Sequence, residues 1–321
     1  MDDNEKTLLL DRNYECPICD KKIKAKTVKT NVAKFVGTEM DLRPIHSNIN
    51  VTKYEVVSCN HCGYTAMIKN FSTLSSSQRK LIREKIQSNF KPREEFTEDT
   101  YSYDVAIQRY KMALLCAVTK NGKGSEIGNI CLKLSWLYQD LADTFDGEDE
   151  VSVAKKASLL EEAKSFHISA YDNLMNARMN EDYPIAGMNE ATLDYLLAYL
   201  GYVKGEYTTA MQCLSNTNST RGISDRLKDK CYELKQLISA KIKEEKGEDG
   251  EGADASAEEA PAEYSFSKSL FCNFFDKSGR QVITCLPFIL LSFKIKYKQI
   301  LLRPCHCNIE QTPFLFNFRL L

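Results

Sequence analysis

The chain predicts a mostly α protein of the α+β class, a small β domain at the N-terminus followed by a larger helical one. Three observations predict this. Two cysteine pairs, Cys16-Pro17-Ile18-Cys19 and Cys59-Asn60-His61-Cys62, lie near the start. The intervals between them are rich in Val, Thr and Tyr that alternate as short strands do, and from Leu74 onward the apolar residues recur at helical spacing. These patterns divide the chain at residues 1–73, 74–242, 243–263 and 264–321.

In the first zone, a pair of cysteines two residues apart presents both thiolates from one tight knuckle. Two knuckles joined by a short antiparallel sheet give the tetrahedral four-sulfur shell that zinc favours. Cys16, Cys19, Cys59 and Cys62 are therefore the expected metal ligands, and the fold is that of a zinc ribbon. Residues 20–58 separate the pairs, an interval long enough for an inserted hairpin. Strands are expected at 26–32, 54–58 and 64–68. Gly63 directly follows the last cysteine, where a tight turn around a metal needs positive φ. With four thiolates engaged, no position is open to water, so the expected zinc is structural. A thioredoxin-like redox role fits poorly, because two pairs are present and no βαβ pattern surrounds them. His61, between the second-pair cysteines, is expected to be exposed and not to coordinate. His46 is a possible extra ligand, although an isolated loop histidine is usually only solvated.

The second zone opens with Ser75, Ser76 and Ser77 as candidate N-caps and Leu81, Ile82, Ile86 and Phe90 as buried positions. In the helix after Tyr103, Ala106, Tyr110 and Ala113 fall on one face as small, large, small. That is the close-packing signature of a tetratricopeptide-like repeat. Cys131, Leu134, Ser135 and Tyr138 continue the register, as do Ala163, His167 and Ala170 after the loop 146–150. Gly205-Glu206-Tyr207 reads as an interhelical turn, with Ala210 beginning the next packing face. An ordinary helical bundle would carry many of the same residues. Cys116, Cys131, Cys213, Cys231 and Trp136 occupy apolar positions and are expected in the core.

The third zone, 243–263, is acidic and lacks large apolar side chains, so it reads as a disordered linker. Beyond it the composition turns over: nine of the 15 Phe lie from residue 264 onward. That stretch reads as an atypical extension, and its apolar run at 282–293 is too short to span a bilayer.

Formal net charge is -1, with 43 Lys and Arg against 44 Asp and Glu, so any case for a polyanionic partner must be local. One region offers such a case: Arg12, Lys21, Lys22, Lys24, Lys26, Lys29 and Lys34 face only Glu15 and Asp20 over residues 12–34. The start MDDNEKTLLLDRNYEC lacks the features of a secretory signal, which makes a cytoplasmic, metal-binding use of the cysteines the expectation.

Cys16-Pro17-Ile18-Cys19, then Arg43-Pro44-Ile45, then Tyr54 through Cys59-Asn60-His61-Cys62-Gly63-Tyr64-Thr65-Ala66 resembles the bacterial domain-of-unknown-function family 2225 over about residues 10–235. Members look like a zinc ribbon joined to a helical repeat region. Asn60 stands where the family often has Pro, and Thr65 where it often has Ala. Asn48-Ile49-Asn50-Val51 replaces a common Asn-Pro pair. The resemblance implies a fold and no established activity. The expected role is a non-enzymatic adaptor whose helical array binds an unidentified protein or peptide, with Tyr138, Tyr199, Tyr202 and Tyr207 as aromatic anchors or core residues. The alternative is a nucleic-acid-associated ribbon using Lys21, Lys22, Lys24 and Lys26.

Overall fold

In the computed structural model, which describes residues 3–94 and 96–246, the N-terminal region is built from three separate antiparallel hairpins and no larger sheet. After a short helix α1 (Asp3–Thr7), β1 (Leu9–Glu15) pairs with β2 (Lys22–Val28) from Leu9 opposite Val28 to Glu15 opposite Lys22. The first cysteine pair thus lies in the connecting turn. The spacer folds as the expected inserted hairpin, β3 (Phe35–Thr38) with β4 (Pro44–His46). The second cysteine pair lies in the turn between β5 (Val56–Ser58) and β6 (Thr65–Met67).

The strand expected at 26–32 begins earlier, at Lys22. Its inward positions are Ile23, Ala25 and Thr27, and the chain is already turning by Asn31, whose φ is 61°. The strand expected from Tyr54 begins at Val56, because Val51–Tyr54 is a 3-10 turn capped by Asn50. β1 was not expected: only Leu9 is buried along it, so no alternation shows in the sequence.

The helices follow as α2 (Ser76–Lys85), α3 (Tyr103–Thr119), α4 (Gly124–Ala142), α5 (Glu150–Asn180), α6 (Glu190–Lys204), α7 (Tyr207–Ser219) and α8 (Asp225–Lys246). Ser75 caps α2 in a capping box with Gln78, and Ser102, Asp149 and Asn189 accept the N–H groups of Val105, Ser152 and Thr192 in the first turns of α3, α5 and α6. From α3 to α8 each helix packs against its neighbour in sequence. The repeat faces expected to be inward are inward: Ala106, Tyr110, Ala113, Cys131, Leu134, Ser135, Tyr138, Ala163, His167, Ala170 and Ala210 are all buried. Near α2, Ile82 and Ile86 are buried as expected, whereas Leu81 and Phe90 are only half-buried. Gly205 takes φ 92° and ends α6, so α7 can fold back at once. α8 runs to Lys246, past the boundary expected at 242. The remainder of the expected linker, 247–263, and the stretch 264–321 lie outside the described residues.

The β region is seated on α3 and α4. Val56 and Met67 join the helical core. The Tyr110 hydroxyl donates to the Thr52 carbonyl at 3.0 Å, and Lys133 pairs with Glu55 at 2.6 Å. Among the described residues, no helix is long and apolar enough to cross a membrane.

Candidate metal centre

The two knuckles share one backbone design. In the first, the Cys16 N–H donates to the Lys21 carbonyl at 3.0 Å and the Asp20 N–H donates to the Cys16 carbonyl at 2.9 Å. In the second, the Cys59 N–H donates to the Tyr64 carbonyl at 2.8 Å and the Gly63 N–H to the Cys59 carbonyl at 2.9 Å. The fifth residue of each is left-handed: Asp20 has φ 58° and Gly63 has φ 77°. Asp is among the few residues other than Gly that tolerate this region. Gly63 was anticipated; Asp20 was not, although aligning the two knuckles on their cysteines exposes it.

This geometry converges the four sulfurs. Sγ of Cys16 lies 3.5 Å from that of Cys62, and Sγ of Cys19 lies 3.6 Å from that of Cys59. All four fall within 4.8 Å of one another, and they form the cluster with metal-ligand composition among the described residues. A disulfide would bring two sulfurs to roughly 2.05 Å, so these are thiols or thiolates. Four sulfurs each roughly 2.3 Å from a tetrahedral zinc are roughly 3.8 Å apart, close to the spacing observed. The donor set therefore fits zinc.

Electrostatics point the same way. The Cys59 thiol is pushed down to about 2, first by its hydrogen bond with Cys16 and then by that with Cys62. Cys16 is pushed up to about 12, first by its hydrogen bond with Cys59, and Cys62 is pushed up further, first by Cys16 and then by Cys59. One thiolate is thus stabilised by its neighbours' S–H groups, while a second or third is opposed by like charge and burial. Bringing all four to thiolate requires a compensating cation at their centre.

Helical residues hold the knuckles in place. Arg83 of α2 donates from its guanidinium to the Ile18 carbonyl by two bonds of 3.1 Å. The Tyr64 hydroxyl, fully buried, donates to the Phe71 carbonyl at 3.1 Å, and Cys116 Sγ of α3 lies 3.8 Å from the Gly63 carbonyl. A Cβ on Gly63 would clash with the Phe90 ring. Neither Arg83 nor Phe90 was singled out as a support of the site, since both touch the knuckles across loops that leave no local pattern.

The other residues marked in the sequence fall elsewhere. His46 packs edge-on to Phe35 at 5.9 Å, and His61 is half-buried where exposure was expected; neither joins the sulfur cluster. Cys116 and Cys131 are buried and pushed up to about 12 by that burial, and Cys213 and Cys231 to about 11. Protonated at neutral pH, these thiols act as small apolar side chains. Lys21, Lys22 and Lys24 are exposed, but across the β1–β2 ladder Glu15 faces Lys22, and Asp11 pairs with Lys26 at 3.1 Å. Tyr138 is buried and stacks on Phe166 at 5.6 Å, whereas Tyr199, Tyr202 and Tyr207 are half-buried against the helical core.

A family model described as "Uncharacterized protein conserved in bacteria (DUF2225)" matches residues 9–238, and the chain belongs to that family. No curated protein and no solved structure matches the chain.

Proposed function

We propose that this member of the DUF2225 family is a cytoplasmic, non-enzymatic adaptor, with a ribbon built around one structural zinc ion and a tetratricopeptide-like helical array that binds a protein or peptide partner. The observation that carries the metal half is the closed set of four cysteine sulfurs. Cys16, Cys19, Cys59 and Cys62 would fill a tetrahedral shell by themselves, so the ion serves as a cross-link between two knuckles that share a small buried cluster. The adaptor half is supported by the succession of helices that stack neighbour on neighbour, an arrangement that presents extended surface for binding.

X-ray absorption at the zinc edge of the loaded full chain tests the first half. Four sulfurs at about 2.3 Å are expected. Three sulfurs and one light-atom ligand would overturn it and make a catalytic site the better reading. Site-specific photo-crosslinking from Tyr202 in growing cells tests the second half. A protein partner held from that position, and not from a control position at Lys24 on the ribbon, is expected. The nucleic-acid reading is weakened by the carboxylates facing Lys22 and Lys26, which reduce the charge available to phosphates.

A further inference from the structure

The spacer hairpin ends in a turn, Glu39–Arg43, closed by the Glu39 N–H on the Arg43 carbonyl at 2.9 Å, with Leu42 left-handed at φ 63°. This turn lies against four helices of the array. Asp41 is 1% exposed. One of its oxygens faces the Gln139 amide of α4 at 3.0 Å and Nε2 of His167 of α5 at 3.3 Å, and the other accepts the Arg43 N–H at 3.0 Å. The Tyr195 hydroxyl of α6 donates to the Met40 carbonyl at 2.8 Å, and the Lys230 ammonium of α8 donates to the Thr38 and Glu39 carbonyls at 2.9 and 3.1 Å. Met40 and Leu42 pack on the helical core, and Arg43 pairs with Asp140. The stem behind the turn is different. Phe35 and Val36 are 53% and 62% exposed, and Ile45 is 38% exposed.

The polarity across this contact is one-sided. With Nε2 of His167 carrying its proton, Gln139, His167, Tyr195 and Lys230 all donate, and the hairpin tip supplies only acceptors to them: the Asp41 carboxylate, the Glu39 and Met40 carbonyls and, at the end of β3, that of Thr38. Asp140, and Asp143 at 3.4 Å, add acceptors for a basic side chain two residues past the aspartate. His167 and Tyr195 are buried and Gln139 and Lys230 half-buried; donors aimed at one carboxylate and at main-chain carbonyls are the means by which a protein surface recognises a peptide turn.

The geometry points to Glu39–Arg43 as a built-in ligand of a peptide-recognition site formed by Gln139, His167, Tyr195 and Lys230, which a partner protein enters with its own turn of apolar–Asp–apolar–basic sequence by displacing the hairpin tip. This rests on the helical array being a binding surface. The stem is exposed at Phe35, Val36 and Ile45, so displacement breaks the contacts of the tip, which an entering turn of the same chemistry would remake.

The probe is a fluorescein-labelled peptide of residues 36–46, titrated into the full chain and into a full chain with residues 39–43 replaced by Gly-Ser-Gly-Ser-Gly. We expect the replaced chain, with its metal and helical circular dichroism retained, to bind the peptide at least ~10-fold more tightly than the unaltered chain does. We also expect an Asp41→Asn peptide to bind it at least ~10-fold more weakly. A folded replaced chain with no saturable binding overturns the proposal. Should the replaced chain fail to fold, the Met40 methyl resonance of the unaltered chain decides. Peptide at about 1 mM, the effective concentration of a short tether, is expected to move it about halfway to its solvent-exposed position. A resonance unmoved at tenfold more peptide makes the tip a fixed part of the fold. That failure would leave the adaptor reading intact if Tyr202 still crosslinks to a partner, whereas loss of the crosslink with peptide binding retained would fault the adaptor reading alone.

Discussion

Around the knuckles the buried set is short and includes three of the sulfurs themselves, Cys16, Cys59 and Cys62, alongside Ile18, Tyr64 and Phe71. In the array the interior is continuous from α3 to α8 and consists of ordinary core residues, among them Leu134, Leu137, Leu174, Leu197 and Leu200, each 0% exposed. If the four sulfurs hold the proposed ion, a core built partly from its ligands loses its organising centre when the ion leaves. A core of leucines loses one increment of burial at a time. The two regions should therefore fail differently even though they touch through Val56, Met67 and Glu55.

The largest difference should come from taking away the metal. Chelation, or Cys59→Ser, is expected to abolish metal binding and to open the amides of β1–β2 and β5–β6 to solvent exchange, with α5, α6 and α7 still protected. Structural zinc supplies about 10–16 kcal/mol of apparent binding free energy to small domains, more than packing alone can replace here. Exchange mass spectrometry checks this, and a uniform loss of protection would erase the distinction between the regions. Next in size is Leu134→Ala. It should cost about 2–5 kcal/mol in urea denaturation while the purified protein keeps its full metal content. Metal lost with Leu134 would mean that the ribbon depends on the array more than its own geometry indicates.

A paired substitution sharpens the contrast further. Gly63 and Gly205 both have positive φ, 77° and 92°, so alanine at either costs about 1–2 kcal/mol in backbone strain. Only at Gly63 would the added carbon also meet a ring, that of Phe90. Gly63→Ala should weaken metal affinity in a competition titration, and Gly205→Ala should lower the array's stability with metal affinity unchanged.

Smaller still is a pH effect at Asp41. Burial raises its carboxyl, but the hydrogen bond and charge of His167, with Gln139 and the Arg43 N–H, more than offset this and hold it below the usual range. A carboxylate depressed in the folded state contributes stability that is complete above its unfolded value of about 3.9 and disappears as pH falls through the folded value. The stability gap between the unaltered chain and Asp41→Asn should therefore be constant near neutrality and close below about pH 4. Denaturation series at several pH values measure it. The smallest effect is expected of Lys22→Glu with Lys24→Glu, within about 0.5 kcal/mol in thermal stability. The unaltered chain should leave the mobility of labelled RNA unchanged; a salt-sensitive shift that this variant abolishes would revive the nucleic-acid reading.

The contrast between regions also governs what could be read from the sequence. The sulfur cluster is legible because two thiols two residues apart are what one tight knuckle can present together, and the array is legible because Ala106, Tyr110 and Ala113 repeat a helical period. Gly205 and Gly63 announce their turns, since few other residues adopt their φ. The hairpin tip is silent. Its strands are four and three residues long, too short to show a period, and Asp41 meets His167 across a separation of 126 residues. Nothing local in Met40-Asp41-Leu42 marks a buried carboxylate. β1 is silent for a related reason: it pairs along its full length yet buries little, and pairing leaves no mark in side-chain pattern.

Metal analysis of the purified full chain, followed by hydrogen exchange before and after chelation, tests the division between a metal-held ribbon and a self-sufficient array most directly. About one zinc per chain is expected, with protection lost in β1–β2 and β5–β6 on its removal and kept in α5 to α7. A chain that carries no metal and yet protects both knuckles would contradict it.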